Sequence, residues 1–529
     1  MSDHSPRTIE RHCDVLVIGG SAAGLAAALQ LGRQRRSVIV IDGGAPRNAP
    51  AAHMHGYLGR DGSPPSELTD AGREEVRSYG GEVLSGLVST VSATDGDRFR
   101  VELVAGHSIV ARRVLAATGL VDVLPEIDGL AEGWGRDVLH CPFCHGFEFR
   151  DRRIVQIVTH RSGLHSAGLF RQLTDRLTVV LHGKVDGADA EVDALRTGGV
   201  DVRNGPVHRI TRDYEGHVVA VEVEHSAPIG ADAVVVSPNF MARVEPFVPL
   251  GLHTVTHQSG LGEFVVTDVT GATMVPGLYA AGNVTDSTLQ LLHAAANGSW
   301  VGAMISFDLA KDDLAARTRP NANEADWDHR YGGEQIWSGN PNGTLVHEIS
   351  DMAPGRALDV GAGEGGDALW MAERGWHVTA SDVTQRALDR IDAEAERRGV
   401  SVECHHEDAN ALDAFATAAF DLVTAQYASI PRTPDGRGVR NMIDAVAPGG
   451  TLLIVGHDLD ALHAQMEAHE HSMPFDPDAY LRIEDFAAQL SDTPEWDIEV
   501  NELRPRPPGS VSASHHIADV VLRARRRDN

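Results

Sequence analysis

Residues Cys141-Pro142-Phe143-Cys144-His145 place two thiols three positions apart, with a histidine directly after the second. Such a pair can cycle between dithiol and disulfide, because a vicinal thiol of lowered pKa supplies the attacking and leaving thiolate. The string also matches the attachment site of a c-type haem, and Cys/His clusters often hold zinc. Two further stretches could hold a nucleotide: Gly19-Gly20-Ser21-Ala22-Ala23-Gly24, and Asp359-Val360-Gly361-Ala362-Gly363-Glu364-Gly365. A glycine turn between strand and helix lets the backbone approach a phosphate, which rests on the amides at the helix N-terminus.

Length and composition narrow these options. The 529 residues suffice for about two to four domains. A hydrophobic content of 42% with 54 glycines reads as globular and rich in turns, and only four cysteines argue against a disulfide-built secreted scaffold. No apolar run approaches the roughly eighteen residues that a membrane span needs, and the opening MSDHSPRTIERH is polar, unlike a signal peptide. A cytoplasmic protein without membrane contact is expected, which argues against haem attachment. A net charge of −29, with one short basic run at Arg523–Arg527, excludes nucleic acid and favours small-molecule substrates. Cys13 and Cys404 stand in distant, apolar strand contexts, so zinc at the pair lacks convergent ligands and no metal site is assigned.

Around the first glycine turn the elements follow in order. Cys13–Ile18 is a short apolar run suited to a buried parallel strand; LAAALQLGRQ is a helix former; SVIVID is a second strand ending in Asp42. Gly19, Gly24 and Ser21, which replaces the middle glycine, form the fingerprint, and Asp42 is placed to accept ribose hydroxyls. Val114–Gly119 (VLAATG) and Gly277–Asn283 (GLYAAGN) follow later. Together, over about residues 12 to 310, these motifs resemble the thioredoxin-reductase-like family of FAD-dependent pyridine nucleotide-disulfide oxidoreductases. The resemblance implies bound FAD, with Gly282 and Asn283 returning the chain to the flavin; aspartate is usual where Asn283 stands. It places the loop Arg47-Asn48-Ala49-Pro50, with His53 and His55, beside the flavin and the substrate entrance. It makes Cys141/Cys144 the redox-active disulfide, with Cys144 against the flavin, Cys141 exchanging with substrate and His145 holding or supplying the proton. "CPxCHG" is similar to the branch that contains dithiol oxidases of sulfur-containing natural products. A homodimer is the family's common state, and a thioredoxin-like protein is a further partner to consider.

The inserted domain of such a protein binds NADPH through a second glycine fingerprint. Here the strand Arg153–Val158 runs into Thr159-His160-Arg161-Ser162-Gly163, so side chains stand where the glycines belong. The next strand, Leu177–Leu181, leads into His182-Gly183-Lys184-Val185-Asp186 without an arginine cluster for a 2′-phosphate. Both observations argue against NADPH. Electrons would then enter at Cys141 from a dithiol substrate, pass through the Cys144 side of the pair to FAD and leave to dioxygen or another acceptor. The opposite, NADPH-dependent reductase direction stays open, as does a flavin/disulfide module that only senses redox state.

Between Lys311 and Ala325 the apolar rhythm fades, which reads as a helix end followed by a linker with proline and two asparagines, and a linker over 313–325 is expected. Beyond it, RALDVGAGEG, HVTASD, HEDAN, FDLVTAQ and VAPGGTLLIVGH arrive in an order that resembles the class I S-adenosylmethionine (SAM)-dependent methyltransferases, over about 325 to 525. The resemblance implies that Asp359, Gly361 and Gly363 surround the methionine part of SAM, that Asp382 takes the ribose hydroxyls, and that Asp408 and Ala409 hold the adenine. "WDHRYGGEQIWSGNPN" is similar to the lid of the small-molecule branch. Methyl transfer draws mainly on positioning, and a thiol acceptor needs no strong base. His405, His406 and His457 are candidates to orient a small-molecule acceptor. The predicted fold class is α/β, with two Rossmann-like domains of the thioredoxin reductase type followed by a Rossmann-like methyltransferase domain. The FAD domain spans 1–119 and 244–312, the inserted NADPH-like domain 120–243 and the methyltransferase 326–529.

Overall fold

The computed structural model describes residues 9–94, 97–317, 323–468, 475–491, 493–507 and 518–528. Strand β1 (Glu10–Ile18) is followed by helix α1 (Ala22–Gly32), β2 (Val38–Asp42), α2 (Pro65–Ser78), β3 (Glu82–Ser85), β4 (Val88–Thr94), β5 (Arg98–Leu103) and β6 (Ser108–Ala116). The apolar run of β1 is buried on both faces, which is what a central parallel strand requires. It pairs in parallel with β2 (Leu16 opposite Ile39) and with β6 (Leu16 opposite Val114), giving the order β3-β2-β1-β6-β5-β4. The turns that follow β1, β2 and β6 therefore emerge at one end of the sheet.

The chain leaves this sheet through β7 (Leu120–Val123). It then builds β8 (Val138–Leu139), the single-turn helix α3 (Pro142–His145), β9 (Ile154–Val158), β10 (Leu177–Leu181), α4 (Asp189–Thr197), β11 (Asp201–Asn204) and β12 (Ala233–Val236). It returns through β13 (Asn239–Ala242), antiparallel to β7 with Ala242 opposite Leu120. The inserted sheet has the order β11-β10-β9-β12-β8, and the cysteine pair follows its edge strand β8. Strand β14 (Leu278–Ala280) then rejoins the first sheet beside β6, and α5 (Leu291–Ala316) packs across α1. That crossing is close because Gly298 and Gly302 face α1; a Cβ at Gly302 would lie 2.7 Å from the Ala27 carbonyl oxygen.

The remaining residues form α6 (Glu324–Arg330), β15 (Arg356–Val360), β16 (His377–Asp382), α7 (Gln385–Arg398), β17 (Val402–His406), β18 (Phe420–Gln426), β19 (Val446–His457), β20 (Trp496–Pro505) and β21 (Ala518–Arg526), with short helices between them. The strands make a seven-stranded sheet of order β17-β16-β15-β18-β19-β21-β20, in which only β21 runs against the others; it pairs antiparallel with both β19 and β20. Among the described residues, no helix is long and apolar enough to cross a membrane.

The expected linker over 313–325 needs correction. Helix α5 continues to Ala316 and α6 begins at Glu324; residues 318–322 lie outside the described residues. The polar tail of α5 is ordered by arginines distant in sequence. Arg36 and Arg112 hold the buried Asp313, while Arg113 holds Asp308 and Asp312. The expected helix end thus runs to Ala316 as an ion-paired helix, past the expected linker start at 313.

Candidate active sites

A cavity of about 580 Å³ opens where β1, β6 and the inserted domain converge. Gly19, Ser21, Asp42, Asn48, Cys141, Cys144, His145 and Asn283 all line it. Gly19 has φ +118°, and a Cβ there would lie 2.2 Å from the Ala117 carbonyl oxygen. The neighbouring Gly20, which the fingerprint spacing did not single out, has no room either: a Cβ there would sit 2.5 Å from Asp42 Oδ2. Ser21 caps α1 with extended backbone and no side-chain cap bond, so the first turn of an eleven-residue helix faces the cavity. This cradle fits a dinucleotide pyrophosphate. Asp42 accepts from Gly44 N (2.9 Å) and from Arg73 Nη2 (2.6 Å), a partner that the sequence reading missed.

Gly24 and Gly282 lie behind the wall rather than on it. A side chain at Gly24 would collide with the Gly19 carbonyl, and one at Gly282 would lie 2.8 Å from the Ala23 methyl. Both glycines serve close packing beneath the cradle. Asn283 lines the cavity while its amide donates to the Asp286 and Leu289 carbonyls (3.0 and 2.9 Å), fixing the turn before α5.

Cys141 and Cys144 form a disulfide, with Cα atoms 5.3 Å apart. Cys141 has extended backbone just before α3, Pro142 starts the turn, and Cys144 and His145 complete it. His145 is half-buried, and burial is the main influence that lowers its pKa; Glu148 opposes the fall, while His55 and His53 add to it. A neutral imidazole at neutral pH can accept a proton. The His55 ring sits edge-on to His145 at 6.1 Å, with Asp61 and Glu148 at 3.5 and 3.4 Å from its nitrogens. Deeper in the cavity, burial followed by the Arg47 charge pushes His140 down to about 4, against the pull of Asp122. Arg47 is itself fixed by two bonds to Asp122 (2.8 and 2.7 Å). The other two thiols stand apart: burial raises Cys13 far above the usual range and pushes Cys404 to about 12.

The turn after β9 offers no comparable cradle. Ser162 N donates to His160 Nδ1 and Gly163 N to the His160 carbonyl, so these amides are already engaged. Arg161 pairs with Glu191, and the Ser162 hydroxyl donates to the Ser259 carbonyl. The segment 257–262 covers the turn: a Cβ on Gly260 would lie 3.1 Å from the His160 ring. Beyond β10, His182 accepts from Val207 N and Lys184 pairs with Asp186. These residues do not fit the pyrophosphate and 2′-phosphate of NADPH.

A second cavity, of about 210 Å³, lies at the ends of β15 and β16. Asp359, Gly361, Gly363, Asp382, Asp408 and Ala409 all line it. Gly361 and Gly363 have φ of +70° and +55°, which bends the loop around the cavity. Asp382 accepts from Gly363 N (2.9 Å) and Thr384 N (3.0 Å). Asp359 is buried with Oδ2 unpartnered; burial, then Asp367 and Asp382, hold its pKa well above the ordinary range, and burial pushes Asp367 up to about 6. Glu364, Glu407 and Asp408 add to an acidic wall suited to a cation. The sulfonium and ammonium groups of SAM match that charge, and the orphaned carboxylate suits the ammonium.

Sequence reasoning missed several residues of this wall. Glu364 accepts from Ile336 N and Trp337 N (3.1 and 2.7 Å) and pairs with Arg390, tying down the lid-like segment that supplies Tyr331 and Trp337. The aromatic spacing of that segment was the available signal. His457 stacks on Tyr427 at 4.6 Å, next to the cavity. His405 pairs with Glu403 and His406 with the Val383 carbonyl; neither lines the cavity.

Comparison with known proteins agrees with both halves. Residues 13–298 match the pyridine nucleotide-disulphide oxidoreductase family, and residues 357–450 match a methyltransferase domain. Thioredoxin reductase sirT of Leptosphaeria maculans is 32% identical over 323 residues, 58% of this chain and 97% of that protein. Thioredoxin reductase tcpT of Claviceps purpurea (strain 20.1) is 30% identical, over 56% of this chain and 95% of that protein. The crystal structure of HlmI superposes with a TM-score of 0.54 at 38% identity, covering 58% of this chain and 95% of that one. Family membership implies FAD in the first half, and the methyltransferase domain implies SAM in the second. The chain belongs to the pyridine nucleotide-disulphide oxidoreductases and carries a methyltransferase domain behind that module, an enzyme of two chemistries.

Proposed function

We propose that the first half oxidises small dithiols, with dioxygen as the final acceptor, and that the second half methylates a small molecule in the same cytoplasmic setting. One contrast carries this reading: the disulfide shares a cavity with the FAD cradle, whereas the turn where a nicotinamide dinucleotide would dock is filled by its own side chains. A substrate thiolate attacks Cys141 Sγ, the Cys141–Cys144 bond breaks, and Cys144 leaves as thiolate. The substrate's second thiol then attacks the mixed disulfide and releases Cys141 as the substrate disulfide departs. His145, neutral because it is half-buried, takes up the proton that each attack sheds; His55, itself 3.4 Å from Glu148, stands edge-on beside it. The reduced Cys141/Cys144 pair would give its two electrons to bound FAD and re-form its disulfide, and FAD would supply the route to dioxygen, which is reduced to hydrogen peroxide. Phe143, 63% exposed between the two cysteines, lines the cavity and gives the mouth an apolar lip suited to a small, weakly charged substrate.

In the second half Asp382 would hold the ribose and Asp359 the ammonium of SAM, leaving the acceptor to approach past Tyr427 and His457. A thiol acceptor fits best, since a thiolate needs only alignment with the methyl group. Dithiothreitol in air tests the redox half. The expected result is one hydrogen peroxide per dithiol oxidised at a rate proportional to enzyme, abolished in Cys141→Ser. Oxygen uptake no faster than in buffer would reject the oxidase reading.

A further inference from the structure

The SAM cavity does not stand on the C-terminal half alone. Helix α6 supplies Trp327, and Tyr331 follows it; both line the cavity and stack at 5.7 Å. The same helix is held from outside. Arg11 on β1, only 4% exposed, donates through Nε to Asp326 Oδ2 (2.8 Å), and His12 N donates to Asp326 Oδ1 (2.7 Å). Arg11 Nη2 donates in turn to Glu82 Oε1 (2.7 Å) at the start of β3.

Glu82 reaches a second wall of the cavity. It accepts from the Tyr480 hydroxyl (3.1 Å) and from Asp476 N (2.9 Å). Tyr480 is bridged to Pro431, and Leu481 N donates to the Ile430 carbonyl (2.8 Å); Ile430 and Pro431 both line the cavity. Asp476 closes the clamp by accepting from Val83 N (2.9 Å) and Arg77 Nε (2.7 Å). Two walls of one site are therefore fastened to one buried Arg11–Glu82 pair that belongs to the other half.

We infer that Arg11 and Glu82, in the flavin half, are positioning residues for SAM binding in the methyltransferase half. The inference rests on the reading of this cavity as the SAM site. Neither residue touches the cavity. Each acts by fixing the placement of an aromatic or proline wall, and charge pairs this buried hold geometry tightly because a lost partner leaves the other uncompensated. A methyltransferase with a self-sufficient site would need none of these contacts.

The test uses the full-length, FAD-loaded chain and SAM itself, titrated calorimetrically so that dissociation constant and stoichiometry are read separately. Glu82→Gln and the near-isosteric Asp326→Asn are expected to raise the SAM dissociation constant tenfold or more, with stoichiometry near one and flavin content unchanged. Arg11→Lys, which keeps the charge but cannot span both carboxylates, is expected to fall between these variants and the native protein. A purely structural role would lower the stoichiometry at unchanged affinity, and that pattern would overturn the inference. So would native affinity in Glu82→Gln and Asp326→Asn while Asp382→Ala is weakened. If the native chain bound no SAM, or Asp382→Ala had no effect, the reading of the cavity itself would fail instead.

Discussion

Replacing Gly20 by alanine tests the FAD cradle at its tightest point. The added Cβ would lie 2.5 Å from both Cβ and Oδ2 of Asp42, where ordinary contact requires about 3.4–4 Å, so one of the two must move by about an ångström. Asp42 is not free to yield, because its carboxylate is held by Gly44 N and by two bonds from Arg73, of 2.6 and 3.1 Å. Overpacking of this kind costs about 1–3 kcal/mol, and each charged hydrogen bond given up about 1.5–3 kcal/mol. If about 2–3 kcal/mol of that falls on the FAD-bound form, the dissociation constant rises about 30- to 160-fold. Titration of deflavinated protein with FAD, followed by flavin fluorescence, reads the change directly, and SAM affinity serves as the control. FAD affinity within threefold of the native value would refute the assignment of this turn to the pyrophosphate.

Other consequences are as specific. In Cys141→Ser the remaining Cys144 thiolate should give a long-wavelength charge-transfer band with oxidised FAD, and Cys144→Ser should give none; the reverse pattern exchanges the two roles. His145→Ala should slow flavin reduction by dithiothreitol at least tenfold while FAD content stays native, and an unchanged rate in stopped flow would remove His145 from the proton path. SAM affinity should rise with pH through about 6, where Asp367, raised by burial, loses its proton and the wall can hold a cation; Asp359, raised by burial and then by Asp367 and Asp382, acts in the same direction. Affinity that is flat between about pH 5 and 8 in calorimetry would contradict that wall's role.

The parallel strands were legible because strands buried on both faces read as unbroken apolar runs, and the loops between them because glycine turns carry fixed spacing. Cys13–Ile18 and Arg356–Val360 are of this kind. What stayed hidden depends on partners far apart in the chain. Asp313 looks like linker until Arg36 and Arg112 are brought against it, and Asp326 looks like a surface acid until it meets Arg11. Spacing also fails to separate a glycine that faces a ligand, such as Gly19, from one that lets a helix approach a strand, such as Gly24. Trp337 and Glu364 were within motifs already noted, yet their mutual contact is a property of the folded lid.

The direction of electron flow is the centre of the account, and anaerobic stopped flow on the FAD-loaded protein tests it most directly. Native enzyme is mixed in parallel with dithiothreitol and with NADPH, and flavin bleaching is followed at its visible maximum. The turn after β9, with its amides engaged and Arg161 tied to Glu191, predicts that dithiothreitol bleaches the flavin at least a hundredfold faster than NADPH at equal concentration. Rapid, stoichiometric bleaching by NADPH would contradict it and turn the electrons in the Cys141–Cys144 pair toward a disulfide substrate.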